Sequence, residues 1–281
     1  ADTQRVHSSF NQTMTATGRL STSSPNFQNI PIRTEDGKEI RKAIKAQSNE
    51  YQIFSADYSQ VELRVMAHLS RDESLISALN NGEDIHTFTA KNIFNVDNDD
   101  MVLPEMRRIA KIVNFGIMYG AGPFRLSQEL DIPFGEAKQI KDAYFKKYQG
   151  IEKYIENSKL QIKETKSVET LLGRKRAVWD SDSQNKIRRD AAERMAINMP
   201  IQGTAAEMIK LAMIKIHRQM NKENLKSKLI MQIHDELLLE VHQDEIDYIS
   251  KMVIEHMRNA MKLDVPIEID FGIGPSWYEA H

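Results

Sequence analysis

The chain has 281 residues, of which 41% are apolar and 28% charged, with a net charge of −2 and no cysteine. That length can bury one core or two lobes unaided, and the missing cysteine excludes disulfides, zinc–thiolate sites and a cysteine nucleophile. No apolar run approaches the roughly 18 residues of a membrane helix, and the polar start Ala1–Phe10 lacks a signal-peptide stretch, so a cytoplasmic location is expected.

Residues 1–50 are rich in Ser, Thr, Asn, Gln and Pro, and loops with turn chemistry are expected there, anchored by Leu20, Phe27, Ile30 and Ile32. Tyr51–Ala56 reads as a buried strand ending at Asp57-Tyr58-Ser59. An amphipathic helix follows through Leu69, with Ser59 as its cap. From Arg71 to Ile197 the pattern is mainly helical, most clearly over Glu105–Met118, Gly135–Tyr148 and Ile151–Lys163. Val168–Leu172 reads as a short strand or hairpin arm, and Pro200 and Gly203 break the helical pattern between Asn198 and Thr204 before it resumes to Met220. The runs Leu229–Ile233 and Leu237–Val241 flank His234-Asp235-Glu236 as the arms of a β-hairpin. A helix over Asp244–Met261 and a strand over Ile267–Phe271 follow. Strands near both ends with a helical insertion between them favour an α+β fold whose sheet is assembled from distant segments.

Charge is unevenly spread. Nine basic and four acidic residues lie between Lys159 and Arg189, against seven acids and one lysine between Asp235 and His256. An anionic partner would meet the first stretch as a basic surface, although on charge alone solvated helix faces explain both.

Asp57, at a strand-to-helix junction, and Asp235, at a hairpin tip, each follow an apolar strand directly and would be presented at the rim of a sheet. Two such carboxylates can hold two hard cations, which stabilise the attacking and leaving oxygens of a phosphoryl transfer. Either aspartate alone is more simply a helix cap or a turn residue. Arg107, Lys111, Phe115 and Tyr119 recur every fourth residue and form one slanting stripe on a helix. Cations can grip a triphosphate and an aromatic can stack on a base or pack on a sugar; solvated cations beside core aromatics account for the stripe without a ligand.

Longer words in the sequence resemble a known family. Asp57-Tyr58-Ser59-Gln60-Val61-Glu62-Leu63-Arg64 is similar to motif A of the family A DNA polymerases, the bacterial DNA polymerase I type. The stretch from Arg107 to Gly120 resembles that family's fingers motif, and His234-Asp235-Glu236 its motif C. Shorter matches, in family order, include Thr15 to Ser21, Asn26 to Pro31, Asp84-Ile85-His86-Thr87 and Ala192 to Gly203. The resemblance covers essentially the whole chain.

It implies a right-hand architecture: a palm of antiparallel sheet and helices from residues 1–70 and 193–281, and mainly helical fingers over 71–192. It implies template-directed addition of deoxynucleotides to a primer 3′-hydroxyl with release of pyrophosphate, in replication and repair. Asp57 and Asp235 would hold two Mg2+ ions, with Mn2+ able to substitute, and Glu236 would support them. Glu62 would be a steric gate against the ribose 2′-hydroxyl. Arg107, Lys111 and His86 would contact the triphosphate, Phe115 would pack on sugar and base, and Tyr119 would hold the templating position until the fingers close. Gln60 would play a supporting part. Phe115, where a tyrosine is the alternative, suggests discrimination against nucleotides lacking the 3′-hydroxyl.

Arg19, Gln28, Asn29, Arg194, Asn198, Gln202 and His234 would line the primer–template duplex, whose minor groove offers similar acceptors in every correct pair. Gly173-Arg174-Lys175-Arg176 would touch phosphates; where the family often has an aromatic next, this chain has Ala177. Full family members carry an upstream thumb and mostly exonuclease-type domains. The present sequence shows none of these, so a monomer without nuclease activity is expected. Its location would be bacterial, phage-encoded or organellar. Two other readings stand beside polymerisation: a thumbless fragment that binds primer–template DNA with little turnover, and a metal-dependent nuclease using Asp57 and Glu62.

Overall fold

The computed structural model describes residues 5–31 and 34–281; Ile32 lies outside the described residues. Among the described residues of the polar first fifty, regular elements form where loops are expected. Strands β1 (Ser9–Asn11) and β2 (Ser21–Ser23) pair antiparallel, and helix α1 spans Glu35–Ala43. Thr34 caps α1 by accepting from the Gly37 amide, with Glu35 and Asp36 in the first turn and Arg41 and Lys42 in the last. Gly37 disguises this helix in the sequence, yet a Cβ there would sit 1.8 Å from the Pro31 carbonyl oxygen.

Strand β3 (Tyr51–Tyr58) runs two residues further than its apolar stretch and carries Asp57 within it. Helix α2 (Val61–Ser70) starts after Gln60, whose φ of 52° is left-handed, so Ser59 is not its cap. Helices α3 (Glu73–Asn80), α4 (Ile85–Phe94), α5 (Pro104–Met118), α6 (Pro123–Leu130), α7 (Phe134–Lys147) and α8 (Gln149–Thr165) follow. Asp72 and Asp84 cap α3 and α4 through their side chains, and Pro104 and Pro123 open α5 and α6, where a missing N–H costs nothing. Strands β4 (Ser167–Glu169) and β5 (Lys175–Ala177) form a small hairpin.

The expected break at Pro200 does not occur. Helix α9 runs unbroken over Lys186–Lys222 with Pro200 inside it. Met199, Ile201, Thr204 and Ala205 are all within 1% of full burial. Burial of that extent outweighs the one backbone hydrogen bond a proline removes. Strands β6 (Lys228–Ile233) and β7 (Glu236–His242) form the hairpin expected around residues 234–235. Helix α10 (Ile246–Arg258), strand β8 (Ile269–Gly274) and the short helix α11 (Trp277–Ala280) complete the chain. β8 begins two residues later than its expected strand. Among the described residues no helix is long and apolar enough to cross a membrane.

The chain divides into two compact units. One comprises Ala1–Val61, Ala205–Lys262 and Ile267–His281; the other comprises Glu62–Thr204 and Leu263–Pro266. The first is built on an antiparallel sheet in the order β6-β7-β3-β8, so distant segments meet at β3 as expected. Strand alternation puts Ile53, Ser55 and Asp57 on one face and Phe54, Ala56 and Tyr58 on the other. The first face carries a core of Ile53, Met231, Ile233, Leu238, Trp277 and Ala280. The second meets α10, where the Tyr58 hydroxyl donates to the Met257 carbonyl at 2.8 Å. The second unit is mainly helical; one of its cores joins Ile162, Val168, Val178, Ala192, Ala196 and Met199.

Candidate active site

In the sheet-bearing unit, strand register decides where the acids go. Asp57 pairs with Glu236 on β7 and with Asp270 on β8, so three carboxylates stand in one row across three strands. Directly opposite residues share a face. The Tyr58 amide donates to the Asp235 carbonyl at 3.2 Å, which carries the ladder one step past the hairpin and sets Asp235 beside the row. His234, in the same two-residue turn, has a left-handed φ of 52° and is exposed. Burial, then the charges of Asp235 and Glu236, push the Asp57 carboxyl up to about 7. Asp270 adds to that push and was not singled out from the sequence, because only strand pairing brings it to Asp57.

Among the described residues no group of three or more His, Cys, Asp or Glu side chains is arranged to hold a metal ion. The pair Asp57 and Asp235 nonetheless offers the type of oxygen donor that a hard divalent cation such as magnesium takes. That ion binds through one or two carboxylates and keeps waters and substrate phosphates for its other positions. Mutual repulsion of the acids is what a bound cation relieves.

The sign of the Asp57 shift gives a stability test. Its folded-state value lies above the unfolded one, so ionisation opposes folding. The penalty is absent below about pH 4, grows as pH rises towards 7, and is complete above it. In chelator, Asp57→Asn is expected to gain stability over the parent between about pH 5 and pH 8, by on the order of 2–3 kcal/mol. Thermal melts at both pH values check this, and a gap that narrows with rising pH would contradict it.

Glu236 is held in place. It is 5% exposed, and its Oε1 accepts from Ser55 Oγ at 2.6 Å, Trp277 Nε1 at 2.8 Å and His281 Nδ1 at 3.3 Å. Burial would raise its carboxyl, but the bonds from His281, Ser55 and Trp277 more than offset this and hold it below the usual range. The Arg41 guanidinium lies 3.8 Å from the centre of the Trp277 ring. Trp277→Phe keeps most of the bulk and drops the indole donor. It is expected to cost about 1–2 kcal/mol in urea unfolding, the scale of one hydrogen bond lost to a charged acceptor that keeps two other donors. None of Arg41, Ser55, Trp277 and His281 stands out in the sequence, where each looks like ordinary core or terminus.

The helical unit gathers a second set. Arg107, Lys111 and Phe115 lie along α5, and Tyr119 follows its last turn. Arg107 and Lys111 are exposed, while Phe115 and Tyr119 are half-buried, so the stripe grades from solvent to core. The Phe115 and Tyr119 rings stack with centroids 6.3 Å apart, and the His86 ring lies 5.8 Å from Phe115. The Tyr119 hydroxyl donates to the Glu62 carboxylate. Glu62 is 6% exposed, so it is not a solvated helix acid. Asp84, the cap of α4, accepts from Arg107 Nε at 3.2 Å and from its NH2 group at 2.7 Å, so one carboxylate ties the start of α4 to α5. Burial pushes Asp84 up, but Arg107 and the Thr87 amide outweigh it and leave its carboxyl at about 2. Burial drives His86 down to about 4, so its ring is neutral at physiological pH.

The remaining candidates fall in both units. In the sheet-bearing unit, Arg19 and Gln28 are half-buried and Asn29 exposed, with Gln28 Nε2 donating to the Leu20 carbonyl at 3.2 Å. Gln60 there is half-buried too. In the helical unit, Arg194, Asn198 and Gln202 recur every fourth residue along α9 and are half-buried. Asn198 Oδ1 is buried without a hydrogen-bond partner. Arg174 and Lys175 are exposed at the β4–β5 hairpin, after Gly173 at φ 83°.

Comparison with known proteins completes the picture. The family described as DNA polymerase family A matches residues 1–279. DNA polymerase I of Bacillus subtilis is 48% identical over 279 residues, 99% of this chain and 32% of that protein. The thermostable DNA polymerase I of Thermus filiformis is 49% identical over 278 residues, 99% of this chain and 33% of its own length. The chain thus spans about a third of the curated relatives it matches. The solved POL domain of Pol1 from M. smegmatis, in complex with a DNA primer-template and dNTP, is 46% identical with a TM-score of 0.96, covering all of this chain and 49% of that one. The mixed helix and antiparallel-sheet architecture is that of this polymerase domain, and the chain belongs to DNA polymerase family A.

Proposed function

We propose that the chain is the nucleotide-adding part of a DNA-directed DNA polymerase, extending a primer 3′-hydroxyl with deoxynucleotides and releasing pyrophosphate. The observation that carries this is the group of like charges at the end of β3, where partial burial and then the charges of Asp235 and Glu236 lift Asp57 to about 7. Such a group is costly without cations. The sheet-bearing unit corresponds to the palm and the helical unit to the fingers.

Asp57 and Asp235 would hold two magnesium ions, with manganese a possible substitute. When bound, these supply charge stabilisation to the attacking and leaving oxygens of an in-line phosphoryl transfer. Glu236, anchored by three donors on one oxygen, fixes the turn that presents Asp235 rather than serving as a ligand itself. Arg107 and Lys111 grip the triphosphate as charge-assisted donors. His86 adds a neutral donor, and Phe115 packs on the sugar and base. Glu62 blocks the 2′ position, with Tyr119 holding its carboxylate. Gln60, in a left-handed conformation between Asp57 and Glu62, sets the turn between strand and gate. Arg19, Gln28, Asn29, Arg194, Asn198, Gln202 and His234 line the duplex, and Arg174 and Lys175 meet its phosphates. Membership of the family supports a role in replication and repair.

Primer extension on a labelled primer–template, with magnesium and all four deoxynucleotides, tests the proposal. Longer products that vanish in chelator are expected. Duplex binding without extension would instead indicate a binding fragment, and a shortened primer a nuclease.

A further inference from the structure

Behind His86 the helical unit contains one buried hydrogen-bonded line. Tyr148, between α7 and α8, has its hydroxyl 2.8 Å from Thr89 Oγ1 on α4. Thr89 Oγ1 lies 3.1 Å from Asn114 Oδ1 on α5, and Asn114 Nδ2 lies 3.1 Å from His86 Nδ1. All four residues are at most 3% exposed, so no solvent completes the line.

Three proton orders satisfy the three contacts, and the way the Asn114 amide faces decides which tautomer His86 carries. In the first, Tyr148 donates to Thr89, Thr89 donates to Asn114 Oδ1, and the Asn114 amide donates to Nδ1, leaving the ring proton on Nε2. In the other two the amide is flipped, the ring proton sits on Nδ1, and Thr89 accepts from Asn114 and either donates to Tyr148 or accepts from it. Either flipped order leaves one O–H, on Tyr148 or on Thr89, without an acceptor among the contacts of side chains at most 1% exposed. An unmet buried donor is costly, whereas an unused lone pair on the phenol oxygen costs less. The buried end of the line therefore decides the proton at its other end.

We propose that Tyr148, Thr89 and Asn114 act together as a positioning device that fixes His86 as the Nε2–H tautomer and aims that N–H at a phosphate of the incoming nucleotide. The aim at phosphate rests on the polymerase reading above; the tautomer does not. The charged groups facing the ring are Asp84 beside it on α4 and Arg107 and Lys111 on α5. Beside two cations, a neutral donor adds a hydrogen bond to phosphate without adding repulsion. Asn114 belongs to the same helix as the cation–aromatic stripe but to its buried side, which is why its part is invisible until α4 and α5 are seen packed together.

Nitrogen-15 NMR of the whole chain, labelled at the histidine ring nitrogens, reads the tautomer directly, with the His86 signals identified by their loss in His86→Gln. At neutral pH the expected pattern is an unprotonated Nδ1 and a protonated Nε2. A protonated Nδ1, or one averaged signal pair from rapid exchange between tautomers, would overturn the proposal. Asn114→Asp replaces the donor with an acceptor of the same shape and is expected to move the proton to Nδ1. It should raise KM for the complementary deoxynucleotide roughly tenfold, the scale of one lost hydrogen bond, with kcat changed much less. In a His86→Gln background the same change should add less than about twofold, because its route runs through His86. Full additivity in the double variant would mean that Asn114 acts only on stability and would sink the positioning role. If His86→Gln leaves KM unaltered while the Nε2–H pattern holds, the phosphate contact fails and the tautomer assignment survives.

Discussion

Asp235→Ala is expected to lower the rate of single-nucleotide addition by at least about a thousandfold, and Asp57→Ala to do the same, while primer–template affinity changes by less than about threefold. The size follows from what each carboxylate is asked to do. Two negatively charged oxygens per side chain are the only fixed ligands proposed for the ions. Losing one set removes a large share of the charge stabilisation on the transferring phosphoryl group. The fold gives a reason to trust the variants. Asp235 sits half-buried in a two-residue turn next to Glu236, whose carboxylate takes three donors. Asp57 is a source of repulsion in the metal-free protein, so its loss does not destabilise the sheet. A lost rate without a lowered melting temperature in chelator is therefore the signature to look for. Retained turnover in either alanine variant would mean that the row of acids is a structural strain and not a metal site.

Glu62→Ala is expected to erode the preference for deoxynucleotides over ribonucleotides by about 100-fold in the ratio of kcat/KM values. An added clash is a stronger source of discrimination than an added contact. Glu62 is placed for that role by two features of this structure: it is buried, and its carboxylate is fixed by the Tyr119 hydroxyl. Fixed bulk rejects a hydroxyl; mobile bulk moves aside. Glu62→Gln keeps the volume and an acceptor for Tyr119, so it should retain most of the discrimination. The alanine variant also leaves Tyr119 without this partner, and a drop of about tenfold in kcat/KM for the correct deoxynucleotide should accompany the lost selectivity. Measuring incorporation of each matched ribo- and deoxynucleotide pair opposite one template base separates the two effects. Equal loss of selectivity in the glutamine and alanine variants would point to charge and not to volume.

Much of this was legible in the sequence because it depends on short-range pattern. The strand over Tyr51–Ala56, the hairpin around Asp235 and the stripe from Arg107 to Tyr119 are periodicities, and the structure reproduces them. What the sequence concealed is long-range. Asp270 reaches Asp57 only through the β3–β8 register, and Trp277 and His281 reach Glu236 only because the last strand returns to β3. Asp84 looks like a helix cap and is one, yet its second oxygen serves Arg107 on another helix. Local rules also misled in two places. Pro200 signals a break, but burial on all sides carries α9 through it. Gly37 signals a loop, but it lets α1 pass the Pro31 carbonyl closely.

The most direct test offers the chain one deoxynucleotide at a time, with magnesium and a primer–template whose next template base is known. If Asp57 and Asp235 are the metal carboxylates of a template-directed polymerase, only the complementary nucleotide extends the primer, by one residue, with one pyrophosphate released per addition. Extension by all four nucleotides alike, or none by the complementary one on a duplex the chain demonstrably binds, would contradict it.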